Sequence, residues 1–181
     1  MKRLLLFSIS TLFSIVLNAQ GYDYALGLRV NDYAAGITYK KFISEKNALD
    51  FTLNSDFDNG FGLTGLYEIH EPSGITPGLN WYYGCGGHIG LWSGNYGQGF
   101  GNYSVIGLGV DGVVGIEYVV GPIPFAFSID YIPSFSLYNQ TKPKNYPENW
   151  DWDRSWTEFG FRNWTIGVKY TFGGSQNEEV K

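Results

Sequence analysis

Two histidines, His70 and His88, are the side chains in this sequence best suited to act as a general base near neutral pH. Beside a serine, either could run ester hydrolysis or acyl transfer, the serine attacking as the histidine takes its proton. Ser104 and Ser136 are the candidate nucleophiles. No G-x-S-x-G elbow surrounds them. His70 falls beside an expected turn, and His88 falls among residues expected to point inward. Both histidines therefore read as satisfied polar neighbours, and no enzyme is expected. The activity such a pair would carry is that of a lipid hydrolase or acyltransferase.

A second group is more coherent. Arg29, Lys40, Asp50, Glu68, His88, Asp111, Glu117, Asp130 and Lys169 each interrupt a segment that alternates apolar with small or polar residues. In each case the charge falls on the non-apolar parity, so all nine share one face if these segments are strands. Charges removed from water must pair or hydrogen-bond. The economical reading is an ion network; the sharper one is a pore lined by these charges, favouring cations because acids outnumber bases. Lys169 lies at nearly the depth of Asp130 and Glu117, so either acid is an expected partner.

Three other patterns are weaker. Asn149-Trp-Asp-Trp-Asp-Arg-Ser-Trp156 interleaves Trp150, Trp152 and Trp156 with Asp151 and Asp153. Such a loop could stack on a glycan or protein partner or hold calcium, and its plainer use is an interfacial aromatic girdle. Gly107-Leu-Gly-Val-Asp-Gly112 matches G-x-G-x-x-G, but the dinucleotide fingerprint needs that turn to open a helix, and here it runs into a strand pattern. Asp56-Phe-Asp-Asn-Gly60 departs from calcium-loop spacing and reads as a turn. No Cys/His spacing suits zinc, and neither a cofactor nor a metal is expected.

The elements that must position these residues are strands. The last, Asn163–Phe172, puts Trp164, Ile166, Val168, Tyr170 and Phe172 on one face and Asn163, Thr165, Gly167, Lys169 and Thr171 on the other. The same alternation recurs over 24–30, 37–42, 49–54, 61–70, 79–92, 110–120 and 125–137, with Pro133 expected to carry a bulge. That makes about eight strands, an even number. Connections at Ser44–Asn47, Glu71–Thr76 and Gly121–Pro124 are short, whereas 93–103 and 139–158 read as long loops. Short turns therefore gather at one end of the sheet, with both termini, and long loops at the other.

Parity alone does not say which face is inside. The non-apolar face is mostly Gly, Ala, Ser and Thr with a few charges, whereas a water-facing wall would be rich in Lys and Glu. Glycine there suits the crowded interior of a narrow barrel. The expectation is an all-β, eight-stranded, antiparallel up-and-down barrel with lipid outside.

Composition agrees. The chain has 25 glycines, 18% aromatic and only 16% charged residues, and a formal charge of −5 that does not suit nucleic acid. Lys2 and Arg3, the apolar run Leu4–Leu17 and Leu17-Asn18-Ala19 read as a signal peptide over 1–19. The barrel is then expected over 20–172, with a polar tail over 173–181. Cys85 is the lone cysteine, so no disulfide framework exists.

With its exit signal, period-two strands, sorted loops and aromatic final strand, the chain resembles the small OmpA/OmpX-like outer-membrane barrels of Gram-negative bacteria. The resemblance covers nearly all of the mature chain and rests on pattern rather than a diagnostic motif. It implies the cell outer membrane as location and outer-membrane lipid as surroundings. It also implies that Tyr170 and Phe172 form a signal read by the barrel assembly machinery, although Gly173–Lys181 continues past that phenylalanine. The function expected is a structural or surface-interaction role with a filled, charge-paired lumen. The alternatives are a small cation-leaning, porin-like channel and, behind it, a lipid-modifying enzyme.

Overall fold

The computed structural model describes residues 21–56, 60–95, 101–121, 123–141, 143, 155–160 and 164–173. They form ten strand segments: β1 (Tyr24–Val30), β2 (Ala34–Phe42), β3 (Asn47–Asp56), β4 (Gly60–Pro72), β5 (Leu79–Asn95), β6 (Asn102–Val120), β7 (Phe125–Tyr131), β8 (Ser134–Gln140), β9 (Ser155–Gly160) and β10 (Trp164–Phe172). β6 pairs with β7 along its second half and with β8 along its first, so β7 and β8 are one wall strand. β9 pairs with β8 and β10 with β7, which makes them another. β10 then closes on β1, from Tyr24↔Phe172 to Val30↔Ile166. The result is an eight-stranded, antiparallel, closed barrel with no helix among the described residues. Closure joins β10 to β1 and β5 to β6, while β9 is paired on one side, with β8, among the described residues.

Period-two alternation fixes which face is which. On β10 exposed and buried residues alternate without a break. Outside lie Leu28, Ile37, Leu53, Leu63, Leu108 and Ile116, each about half exposed. Inside lie Arg29, Lys40, Asp50, Glu68, Glu117, Asp130 and Lys169, each almost wholly buried. A hydrocarbon core is nearly absent: Leu66, Tyr82 and Val113, with Ile132 against them, make its one cluster among the described residues. The polarity of a water-soluble domain is thus inverted.

Aromatics gather toward the two rims. At the short-turn end Tyr24 stacks with Phe172 at 5.6 Å, and Phe125 meets Tyr170 at 5.7 Å. At the other end Tyr131 meets Trp164 at 5.1 Å and Phe135 meets Phe159 at 4.7 Å.

Three expectations from the sequence need correction. Both ends of the stretch 93–103, expected as loop, are strand: Ser93↔Ser104, Gly94↔Tyr103 and Asn95↔Asn102 continue the β5–β6 ladder, and β6 begins at Asn102 rather than Val110, with 96–100 outside the described residues. Its glycines suggested a loop, yet in a narrow barrel glycine is an ordinary inward residue. Ser155–Gly160, expected mostly as loop, is strand β9. Pro133 interrupts its strand without shifting the register against β6, because Gly112 still donates to its carbonyl at 2.9 Å. The slip of one residue appears on the opposite side, between Tyr131↔Trp164 and Ser134↔Gly160.

Candidate functional site

The lumen divides into two halves of different chemistry. In the half nearer the short turns, three cations and four carboxylates converge from β1, β2, β3, β4, β6, β7 and β10. The Lys40 ammonium lies 2.8 Å from Glu68 and 3.1 Å from Glu117. Lys169 lies 3.4 Å from Glu117 and 3.5 Å from Asp50. The Arg29 guanidinium reaches Asp130 at 3.1 Å and Asp50 at 3.3 Å. Each carboxylate therefore contacts at least one cation, as charges in so buried a place require.

Neutral donors complete the cluster. Tyr22 donates its hydroxyl to Glu117 at 2.6 Å, Thr38 to Asp50 at 2.7 Å and Thr165 to Asp130 at 2.8 Å. His70 Nε2 sits 3.0 Å from Glu68, and its ring stacks on Tyr82 at 4.6 Å. The Lys40 ammonium also lies 4.6 Å from the Tyr82 ring centre, within cation–π range. Below the cluster a cavity of about 910 Å³ opens among the short turns, with Tyr22, His70 and Glu117 in its lining.

Toward the other end a cavity of about 590 Å³ lies above Arg29. Three of its lining side chains are joined. His88 Nδ1 is 2.8 Å from one Asp111 carboxylate oxygen and 3.0 Å from the other. His88 Nε2 is 3.1 Å from the Ser136 hydroxyl. Asp111 can only accept, so the imidazole proton sits on Nδ1 and Nε2 accepts from Ser136. Register explains the arrangement. His88 on β5 and Ser136 on β8 both face Gly109 on the strand between them. A Cβ at Gly109 would meet the His88 ring at Cε1 and come within 2.6 Å of Nε2. The bare glycine lets the imidazole lie across β6.

The nine charged or histidine residues singled out by parity thus fall into two sets. Arg29, Lys40, Asp50, Glu68, Glu117, Asp130 and Lys169 come together in the lower half, and His88 and Asp111 form a separate pair above. Arg29 belongs to the lower set because its long side chain reaches Asp50 and Asp130. Lys169 meets Glu117, one of its two expected partners, whereas Asp130 is held by Arg29. Ser104 points outward and meets neither histidine; its amide and carbonyl bond to Thr141. Trp156 lies on β9 and stacks on Tyr138 at 5.1 Å in the cavity wall, while Trp150, Asp151, Trp152 and Asp153 lie outside the described residues. Tyr170 and Phe172 are on the outer face of β10. The Gly107–Gly112 match is extended strand within β6.

Sequence reasoning missed Tyr22, Thr38, His70 and Thr165 as members of the lower network. For Thr38 and Thr165, inward parity was a usable signal; for Tyr22, which precedes β1, there was none. Among the described residues no three His, Cys, Asp or Glu side chains group as a metal site. No protein-family model, no curated protein and no solved structure matches the chain.

Proposed function

We propose that the chain is a transmembrane barrel of a bacterial outer membrane, of the small OmpA/OmpX-like kind, with a structural and surface-interaction role. The observation that carries this reading is the inverted polarity: an apolar outer wall about half exposed around an interior of buried ion pairs. In water such a wall would drive aggregation; in lipid it is the required surface, and the ladder that closes β10 on β1 pairs the first and last strands of the barrel. Aromatics toward both rims suit the two headgroup zones. The short turns and termini then face the periplasm, and the end carrying the 590 Å³ cavity faces outward to meet a surface glycan or protein.

The ion cluster supports a closed barrel over a channel, because side chains from seven strands meet across the lumen. The test is reconstitution of the full chain into planar bilayers. A closed barrel should insert without stepwise conductance. Reproducible cation-selective steps would favour the channel instead.

A further inference from the structure

Beyond that structural role, we propose that Ser136, His88 and Asp111 form a hydrolytic triad acting on carboxylic esters that enter the outer cavity from water. The geometry is that of a nucleophile held by a base that is itself held by a carboxylate. Ser136 donates to His88 Nε2 at 3.1 Å, and Asp111 grips Nδ1 at 2.8 Å. The three side chains come from three adjacent strands, so a rigid wall fixes their spacing. They also lie apart from the lower ion cluster, with no role in its charge pairing.

The site has room and access. The cavity, at about 590 Å³, falls within the usual range for small-molecule sites, roughly 300–1,000 Å³. The His88 side chain keeps 16% of its surface exposed, so solvent reaches the base. Trp92, Tyr138 and Trp156 line the same cavity and suit an alkyl or aryl group on the ester. Arg29, whose Nε–H lacks a hydrogen-bond partner among the described residues, forms part of the cavity's lining while its guanidinium stays paired with Asp50 and Asp130. Membrane lipid is shut out. Behind the triad the wall turns Ile89, Leu108 and Leu137 outward, in register across β5, β6 and β8.

In the reaction Ser136 Oγ attacks the ester carbonyl carbon as its proton passes to His88 Nε2. The bond from carbon to the alcohol oxygen then breaks, and His88 returns the proton to the departing alkoxide. A water molecule next gives a proton to Nε2 and attacks the acyl carbon; the bond from that carbon to Ser136 Oγ breaks, and His88 returns the proton to Oγ. The products are the alcohol and the carboxylic acid, and Ser136 is restored. Asp111 is a positioning residue that holds the tautomer.

The test uses the full chain folded in detergent, with folding verified by its shifted gel mobility before heating. A fluorophosphonate probe should label the peptide containing Ser136, and p-nitrophenyl butyrate should be hydrolysed. Ser136→Ala should abolish both. His88→Asn should slow labelling of the intact Ser136 by ~10²-fold or more, the usual worth of a general base. Asp111→Asn should lower kcat with KM little changed. A folded wild-type protein that takes no label, or ester hydrolysis that survives in Ser136→Ala, overturns the proposal. Fatty-acid release from vesicle phospholipid at a rate matching the soluble ester would overturn the water-delivered substrate.

Discussion

Lys169→Met is the most informative perturbation of the lumen. Methionine keeps most of the lysine stem, so the change removes charge more than volume. The ammonium lies 3.4 Å from Glu117 and 3.5 Å from Asp50. At an effective dielectric near 20, each contact is worth ~5 kcal/mol of attraction. Desolvating the ammonium costs several kcal/mol against that, so the net loss on removing one partner of such a buried set is ~3–5 kcal/mol. The cluster would then hold two cations against four carboxylates. Adding Glu117→Gln restores the original imbalance and should recover ~1–3 kcal/mol, the usual coupling between contacting residues. Recovery is incomplete because Glu117 also binds Lys40 and accepts from Tyr22. Adding Asp130→Asn instead should recover nothing, since Asp130 is committed to Arg29 and Thr165. Urea unfolding from liposomes, followed by tryptophan fluorescence, reads all four proteins. Near-neutral stability for Lys169→Met, or rescue at Asp130 rather than Glu117, would refute the reasoning and point to a wet lumen.

Other expectations follow from the same geometry. Ile116, 50% exposed on β6, should meet lipid, so Ile116→Arg should cost ~2–4 kcal/mol in liposome folding, and tolerance there would contradict the wall's orientation. Trp156→Ala removes a stacked pair from the outer cavity and should cost only ~1 kcal/mol in the same unfolding assay, with insertion intact. Failure to insert would place Trp156 in the membrane girdle instead.

The barrel was legible because period-two alternation survives wherever one face of a strand is apolar. Trp164 through Phe172 show it without a break, and the last strand pairs with β7 and β1 as such a barrel requires. The interior charges were legible from parity for the same reason. Their partners were not. Barrel stagger and side-chain length decide those, so Arg29 reaches Asp130 while Lys169, in register with Ala126, turns to Asp50 and Glu117. The triad hid for a related reason. His88 and Asp111 were visible as polar inward residues and Ser136 as a candidate nucleophile, but only the register brings His88 and Ser136 to opposite sides of Gly109. Glycine itself misled at β6, because its low strand propensity outweighed the faint alternation of Tyr103 and Val105 with their neighbours.

Whether the apolar wall faces lipid can be asked with the chain's own single cysteine. Cys85 is exposed on β5, paired with Tyr67 and Gly112 in the midst of the wall. An environment-sensitive fluorophore attached there, on protein folded into liposomes, should emit as from hydrocarbon, be quenched by mid-chain brominated lipid and be protected from iodide. Quenching by iodide with no response to brominated lipid would put the wall in water and contradict the transmembrane barrel.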